Sequence, residues 1–279
     1  MEKAGFTYYP APGKINLFLK VIGKLPNGYH SIQTVFQFIN LEDLIGIRRT
    51  NATQVKRVSK HAWPESHDLV VKAAKLLRES FGVTEGVEID VVKRIPDGAG
   101  FGGGSSDAAT VLLVLNKRWE LNLSRDRLIQ LASVLGADVP VFIGGKAAFA
   151  EGIGDQLTPV QPDECWYLLI YPRCRVSTTD IFCDPELTRN SKPIKISAFS
   201  SFSGQNDLQK TVCRLHEEVG AALDWANRHG AAAMSGSGSG VFCPFPNEFS
   251  ARAVLAELPK KWLGFVAKGF NRHPLMSCL

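Results

Sequence analysis

Five of the seven residues from 98 to 104 are glycine, within the segment PDGAGFGGGSSD that spans residues 96–107. Residues 87–92 alternate in the manner of a strand, and a helix is predicted from about residue 105 to residue 119. Glycine allows positive φ and close approach of the backbone to a ligand, but it costs conformational entropy on folding. Five glycines are too costly for a simple connection, so this loop is predicted to hold a ligand.

The helix that follows the loop indicates which ligand. Its first N–H groups are unpaired and its dipole is positive at that end, which together form a cradle for phosphate oxygens. A Cβ at Gly102 is expected to fill space meant for those oxygens. The hydroxyls of Ser105 and Ser106 are expected to donate to phosphate or to ligate Mg²⁺. Asp107 is interpreted as a helix-capping carboxylate rather than as a metal ligand.

Other nucleotide-binding patterns fit this chain less well. Gly98, Gly100 and Gly103 match the spacing of a dinucleotide fingerprint, but residues 118–123 around Glu120 do not resemble the buried strand that this motif requires. No Ser or Thr follows the Gly-Lys pairs at Lys14 and Lys146, which excludes a phosphate-binding P-loop. The chain also contains neither His-Arg-Asp nor Asp-Phe-Gly, the motifs of protein kinases.

Hydrophobic periodicity predicts an α+β chain, because strands and helices mix without regular alternation. Strands are predicted at residues 15–21, 32–39, 44–48, 87–92, 165–171 and 264–268. Helices are predicted at residues 68–81 with Gly82 after the end, 105–119, 124–135 with Ser124 as the cap, 207–229 and 248–258, and a short helix or turn is predicted at residues 177–183. Residues 184–204 are predicted to form a loop, and residues 231–242 a strand, a small-residue loop and a second strand.

Composition excludes several classes of protein. The 279 residues suffice for one large domain or two modest ones, and no apolar run predicts a signal peptide or a membrane span. The six cysteines form no CxxC pair and are predicted to be free thiols in a reducing cytoplasm, with neither disulfides nor a zinc site. They are Cys165, Cys174, Cys183, Cys213, Cys243 and Cys278. The net charge of +5 is scattered, which favours an anionic small molecule over nucleic acid.

Two further segments accompany the glycine loop: PAPGKINL at residues 10–17 and MSGSGSGVF at residues 234–242. In this order the three resemble the signature motifs of the GHMP kinases, which include galactokinase, homoserine kinase, mevalonate kinase and phosphomevalonate kinase. The resemblance implies a ribosomal-protein-S5-domain-2-like N-terminal domain (residues 1–155) and a ferredoxin-like C-terminal domain (residues 156–279), with the active cleft between them. It implies ATP as co-substrate with Mg²⁺, a cytoplasmic location away from membranes, and a monomer or weak homodimer.

Within that superfamily, four segments resemble the 4-diphosphocytidyl-2-C-methyl-D-erythritol kinases. They are NGYH with the following residues 31–38, GADVPVF at residues 136–142, AFAEG at residues 148–152 and NDL at residues 206–208. This resemblance implies ATP-dependent phosphorylation of the substrate's 2-hydroxyl, a step in non-mevalonate isoprenoid precursor biosynthesis. The other hypotheses are a GHMP kinase for mevalonate, homoserine or a sugar, and a non-catalytic nucleotide-binding protein on the same fold.

The resemblance also assigns roles to residues. Asp138 would be the general base, and Lys14 would orient it and hold it ionised. The cytosine would stack between Tyr29 and Phe182, with His30 bonded to its edge and Asn16 on the methylerythritol. The implied ATP-binding residues are Lys93, Pro96, Asp97, Gly98, Ala99, Gly100, Phe101, Gly102, Gly103, Gly104, Ser105 and Ser106. No residue is assigned as a metal ligand. Residues around Lys93 and Asp68 would line the adenine pocket, although the family usually has Asn at position 68 and Ala at position 13.

The residues alone leave alternatives open. Asp138 precedes a predicted Val-Pro strand start and could be an Asx turn or a helix cap, while Lys14 could be a lysine at a strand edge with its ammonium in water. Tyr29, His30 and Phe182 could be ordinary packing residues. The Ser-Gly repeat could be a linker, although its apolar flanks favour a backbone loop packed against the first glycine loop.

Overall fold

The computed structural model describes residues 3–50, 52–61, 63–196 and 204–277. The strands in this part of the chain are β1 (Thr7–Lys24), β2 (His30–Thr50), β3 (Val55–Arg57), β4 (Gly86–Val92), β5 (Ala148–Glu151), β6 (Gln156–Pro159), β7 (Trp166–Tyr171), β8 (Ala233–Met234), β9 (Val241–Phe245) and β10 (Leu263–Phe270). The helices are α1 (Leu69–Phe81), α2 (Gly103–Arg118), α3 (Arg125–Ser133), α4 (Val139–Gly144), α5 (Thr178–Cys183), α6 (Gln209–Leu215), α7 (Glu217–Ala226) and α8 (Glu248–Ala256).

The two longest strands organise the sheet. β1 and β2 pair antiparallel over nearly their whole lengths, with Thr7 opposite Ile47 at one end. β4 pairs with the far half of β2, and β3 adds a parallel edge beyond it. β10 pairs briefly with β2, where Gly269 lies opposite Ile39, and then with β7, which continues to β9 and β8. β10 therefore joins the N-terminal and C-terminal strands into one mixed sheet.

Buried apolar residues form three clusters. The first packs α1 to α4 against β2 and β4, and the second packs α6 to α8 against β7 and β9. The third lies between them and includes Ile15 and Leu17 of β1 together with Ala99 and Phe101 of the glycine loop. Because apolar side chains of the loop are buried there, its backbone is held against β1.

Local signals correctly predict several helix ends. The Asp68 side chain accepts a hydrogen bond from the Val70 N–H at 3.0 Å and caps α1, which ends at Gly82 with φ 64°. The Ser124 hydroxyl accepts from the Arg127 N–H and caps α3. These bonds satisfy N–H groups that a helix end leaves unpaired, so the cap residues determine where the helices begin.

Three predictions of secondary structure are wrong in detail. The predicted strand after Asp138 is the helix α4, whose early Pro140 is tolerated because first-turn N–H groups need no partner. The predicted helix at residues 207–229 is broken into α6 and α7 at His216, whose backbone is non-helical at φ −135° and ψ 87°. The predicted strands at residues 32–39 and 44–48 are both part of β2, since β1 pairs along both.

The remaining predictions concern cysteines, the long loop and membranes. The five described cysteines are free, and Cys278 lies outside the described residues. Residues 184–195 contain no helix or strand, and residues 197–203 of that predicted loop also lie outside the described residues. Among the helices of the described ranges, none is long and apolar enough to cross a bilayer.

Candidate active site

The glycine loop enters α2 through a series of left-handed residues. Gly98, Gly100 and Gly102 have φ of 72°, 73° and 73°, a region that residues with a Cβ rarely adopt. The N-cap residue of α2 is Gly102, which has no side chain with which to cap the helix. The first N–H groups of α2 therefore have no N-cap side chain as a partner. The backbone geometry is therefore suited to an anionic ligand at this helix end.

The second glycine-rich segment packs on the first, as predicted. The Ser235 hydroxyl donates to the Gly100 carbonyl at 3.1 Å, and the Gly240 N–H donates to the Ala99 carbonyl at 2.9 Å. A Cβ at Gly100 would lie only 2.5 Å from the Ser235 carbonyl oxygen. The Ser-Gly repeat is therefore part of the site wall, and the linker interpretation is wrong.

Lys14 on β1 is buried beside this wall, so it is not a strand-edge lysine with its ammonium in water. Its Nζ donates to Asn16 Oδ1 at 2.7 Å and lies 3.1 Å from Asp138 Oδ2. Asn16 is held in turn, because its Nδ2 donates to Thr34 Oγ1 at 2.9 Å. The Lys14 N–H donates to the Phe101 carbonyl at 2.8 Å, which connects the lysine directly to the glycine loop.

Asp138 is the N-cap residue of α4, but its side chain makes no capping hydrogen bond. The carboxylate instead faces Lys14, and 37% of the side chain is exposed. An acidic side chain at a helix N-terminus is favoured by the helix dipole. Asp138 therefore presents a fixed, partly solvated carboxylate that can accept a proton from a bound hydroxyl.

A cavity of about 870 Å³ joins these groups. Every predicted site residue except Ser106 lines it: Lys14, Asn16, Tyr29, His30, Lys93, Pro96, Asp97, Gly98, Ala99, Gly100, Phe101, Gly102, Gly103, Gly104, Ser105, Asp138 and Phe182. Ser106 is fully buried in α2, and its hydroxyl has no hydrogen-bond partner among the described residues. The structure therefore brings residues from distant parts of the chain together around one cavity, and Ser106 is not among those that line it.

The Cβ position of Gly102 differs from the prediction. A Cβ there would lie 3.0 Å from Lys14 Cγ and 3.1 Å from Phe142 Cζ, so it would displace side chains of the protein rather than a ligand. Gly102 is required because its backbone passes directly over Lys14 at positive φ.

Three aromatic residues lie at one end of the cavity. Tyr29 is 60% exposed, whereas His30 is only 8% exposed. The Phe182 ring stacks on the His30 ring with centroids 5.0 Å apart and an angle of 29° between the planes. Tyr29 is therefore accessible to a planar ligand, and one face of Phe182 is covered by His30.

A buried cluster of charge surrounds Lys93, another residue of the cavity wall. Lys93 Nζ contacts Asp43 Oδ2 at 2.5 Å and Asp107 Oδ2 at 2.8 Å. Burial opposes the charged form of Lys93, but the Asp107 and Asp43 carboxylates outweigh it and raise the pKa of the lysine. Burial also raises the pKa of Asp107, and Lys93 opposes that shift. Asp107 is thus an ion-pair partner inside the core, and its interpretation as a helix cap is wrong.

Asp68 is likewise committed to protein partners. Besides capping α1, its carboxylate pairs with Arg57 and accepts from Trp63 Nε1 at 3.0 Å. Leu69, the next residue, lines the cavity. Any ligand contact in this region therefore depends on neighbours of Asp68 more than on its carboxylate.

Comparisons with known proteins identify the family. The GHMP kinases N terminal domain matches residues 68–146, and the GHMP kinases C terminal domain matches residues 186–263. A Nitrosomonas eutropha protein named 4-diphosphocytidyl-2-C-methyl-D-erythritol kinase is 48% identical over 272 residues, which cover 96% of this chain and 98% of that protein. The chain belongs to the 4-diphosphocytidyl-2-C-methyl-D-erythritol kinase family.

Solved structures agree with this membership. The crystal structure of a 4-(cytidine 5'-diphospho)-2C-methyl-D-erythritol kinase superposes with a TM-score of 0.83 at 30% identity, over 94% of this chain and 99% of that one. The Methanococcus jannaschii mevalonate kinase, at 16% identity, has a TM-score of 0.67 over 97% of this chain and 100% of its own, and shares the fold. The chain is a small-molecule kinase with the two-domain α+β fold of GHMP kinases, and membership implies ATP as the co-substrate.

Sequence reasoning missed several groups that line this kinase's cavity. Lys24 and Arg189 add positive charge near His30, and Thr178 lies beside Ser237, with their hydroxyl oxygens 2.7 Å apart. The position of Lys24 just before the turn at residues 26–28 was an available signal. Arg189 had none, because it lies in an irregular segment without periodicity.

Proposed function

We propose that this kinase transfers the γ-phosphoryl group of ATP to the 2-hydroxyl of 4-diphosphocytidyl-2-C-methyl-D-erythritol, in non-mevalonate isoprenoid precursor biosynthesis. The observation that carries the proposal is the 3.1 Å contact between Lys14 Nζ and Asp138 Oδ2 inside a cavity that has the glycine loop on one side and Tyr29 on another. A phosphoryl transferase needs this combination of a phosphate cradle, a cation and a base.

The glycine loop supports the nucleotide end of the reaction. Residues 96–105 line the cavity where α2 begins, so the N–H groups and the helix dipole favour triphosphate oxygens. Lys93 is proposed to contribute its stem to the pocket wall, since its ammonium already contacts Asp43 and Asp107. With the triphosphate bound in this way, the γ-phosphoryl group is proposed to point toward Lys14.

Asp138 and Lys14 support the chemical step. The acceptor hydroxyl gives its proton to the Asp138 carboxylate as its oxygen bonds to the γ-phosphorus, and the bond from that phosphorus to the bridging oxygen breaks to release ADP. Lys14 orients the carboxylate and stabilises negative charge on the transferring group, because its Nζ lies between Asp138 and Asn16. Asn16 is proposed to contact the methylerythritol part.

Mg²⁺ is the metal that a kinase of this family implies. Within the described residues no group of three His, Cys, Asp or Glu side chains is arranged to hold a metal ion. Mg²⁺ in such sites is held largely by phosphate oxygens and water, with one or two protein oxygens. The Ser105 hydroxyl in the cavity fits that requirement. When bound, the ion neutralises charge on the phosphates.

The aromatic end supports a cytidyl group. Tyr29 exposes a ring face on which a pyrimidine can stack, and His30 supplies a ring nitrogen next to it. Phe182 is proposed to complete the pocket. Its ring either moves off the His30 ring to stack on the cytosine or contacts the cytosine with its edge. An acceptor without a base would leave the exposed Tyr29 ring with nothing to stack on.

ADP release measured across a panel of acceptors tests the proposal. Turnover is expected with the cytidyl-linked methylerythritol and not with mevalonate, homoserine or galactose at equal concentrations. Turnover with one of those three and none with the cytidyl compound would contradict the proposed substrate. No ATP-dependent turnover with any of the four acceptors would contradict the proposed phosphoryl transfer.

We also propose the domain boundary near residue 155. The first apolar cluster draws on residues 11–150 apart from Leu275, and the second on residues 168–262 apart from Leu19 and Val21. Division at this point leaves each domain with a hydrophobic core of its own, as the definition of a domain requires. The cavity then lies between the two domains.

A further inference from the structure

Arg189 connects the segment after α5 to the aromatic end of the cavity. Its Nη2 donates to the carbonyls of Phe182 at 2.8 Å and Asp184 at 2.5 Å, and its Nη1 donates to the Leu187 carbonyl at 3.2 Å. Its Nε donates to His30 Nε2 at 3.1 Å. One guanidinium thus holds both the backbone of Phe182 and the ring of His30. The rings of these two residues stack on each other.

The bond to His30 determines where the imidazole proton lies. A guanidinium has only donors and stays protonated, so His30 Nε2 has to be the acceptor. A neutral imidazole has one donor and one acceptor, so its proton is on Nδ1. Burial first, and then the charges of Arg189 and Lys24, lower the pKa of His30 below its usual value, which keeps the ring neutral near pH 7.

We propose that Arg189 is a positioning residue for pyrimidine recognition, which holds His30 in the Nδ1–H tautomer so that the ring offers the substrate a hydrogen-bond donor. The proposal rests on the proposed function, since it assumes a cytidyl-linked acceptor. Cytosine presents acceptors at O2 and N3, whereas uracil carries a hydrogen on N3. The proposed Nδ1–H donor meets N3, so it favours cytosine over uracil, because a buried donor that faces another donor loses its partner.

The tautomer can be measured without any substitution. Long-range ¹H–¹⁵N correlation spectra of the uniformly labelled, ligand-free protein distinguish protonated from unprotonated ring nitrogens. The signals absent from the His30→Gln spectrum identify His30. We expect a protonated Nδ1 and an unprotonated Nε2. A protonated Nε2 would overturn the proposal.

Substitution tests the consequence for specificity. Arg189→Met is expected to raise the KM for the cytidyl substrate about tenfold, to leave the KM for ATP unchanged, and to shrink the preference in kcat/KM over the uridyl analogue by a similar factor. Arg189→Lys keeps a donor and is expected to recover part of that preference. Arg214→Met is the matched control, because Arg214 pairs with Asp184 and Glu186 in the same turn. It is expected to keep both KM values and the preference.

The outcomes separate this proposal from the proposed function. If Arg189→Met raises the KM for both pyrimidine substrates equally and keeps the preference, Arg189 only supports the end of α5 and the proposal fails. A wild-type enzyme that does not phosphorylate the cytidyl substrate overturns the proposed function, and pyrimidine positioning with it. A wild-type enzyme that is active on this substrate but has the proton on Nε2 overturns this inference alone.

Discussion

Lys14 Nζ and Asp138 Oδ2 lie 3.1 Å apart, and this contact joins β1 to the N-cap residue of α4. The lysine is almost completely buried, whereas the aspartate opens on the cavity. The buried Lys14 therefore fixes the geometry of the pair, and the exposed part of Asp138 is where a bound hydroxyl can be deprotonated.

Asp138→Asn tests the base directly. The amide keeps the size and polarity of the side chain but cannot accept a proton, so kcat is expected to fall by roughly 10²–10⁴ while both KM values stay nearly normal. Steady-state assays with ATP and the cytidyl substrate measure this. The exposed Asp126→Asn in the first turn of α3 is the matched control and is expected to be fully active. A folded Asp138→Asn enzyme with normal turnover would exclude Asp138 as the base.

Lys14→Met tests whether the pair acts as a unit. Methionine fills a similar volume but cannot donate to Asn16 or pair with Asp138, so kcat is expected to fall. The double variant with Asp138→Asn is expected to be little worse than the worse single variant, because residues that act together are not additive. Losses that multiply in the double variant would indicate two independent roles.

Tyr29→Ala tests base stacking. An aromatic face beneath a pyrimidine contributes about 1–3 kcal/mol, so the KM for the cytidyl substrate is expected to rise on the order of tenfold and the KM for ATP to change little. Phe249→Ala on α8 removes another exposed ring, one that is 84% exposed, and serves as the control. An equal effect of Tyr29→Ala on both substrates would show that Tyr29 has a structural role.

Gly102→Ala tests the close approach of the loop to Lys14. The new Cβ would press on Lys14 Cγ and Phe142 Cζ at a φ of 73°, so stability is expected to fall by about 1–2 kcal/mol. A shift of about 1 Å in Lys14 can lower kcat on the order of 100-fold. The control is Gly23→Ala in β1, where a Cβ meets nothing within 4 Å. Equal stability and kcat in the two variants would contradict the geometric argument.

The buried His273 is expected to make the stability of the protein depend on pH. Burial, with a smaller contribution from Arg125, lowers its pKa to about 3, whereas an unfolded histidine titrates near pH 6.5. The unfolded state binds more protons between those values, so the free energy of unfolding falls as the pH drops below about 6.5, by up to about 1.4 kcal/mol per pH unit. His273→Phe keeps a ring against Phe38 and Phe142 and is expected to flatten this slope. Urea unfolding between pH 5 and pH 7 measures the free energy of unfolding of both proteins. The same slope against pH in the wild type and in His273→Phe would contradict the prediction.

Most of the wall of the site could be predicted from short segments. The glycines at residues 98–104, the cap at Ser124 and the alternation around Lys14 depend on residues a few positions apart, and local backbone preferences reveal them. The α4 prediction failed although it was local, because Val-Pro suits a strand start and a first helical turn equally well.

Contacts between residues far apart in the sequence could not be predicted from short segments. Asp107 has the position of a cap in the sequence. Only the packing of α2 against β2 and the residue that follows β4 reveals that Asp107 pairs with Lys93, which also contacts Asp43. Ser106 resembles Ser105 in the sequence, yet one helical position turns its hydroxyl away from the cavity.

Sequence alone predicted the glycine loop as a phosphate site and supplied the motifs that carry the family resemblance, because these depend on residue type and short spacing. The resemblance in turn implied Asp138 as the candidate base. The tertiary structure alone established that Asp138 faces Lys14, that Ser235 supports Gly100, and that Arg189 reaches His30. These contacts join residues far apart in the chain. Their distances follow from how the sheet and helices pack, which no local pattern encodes.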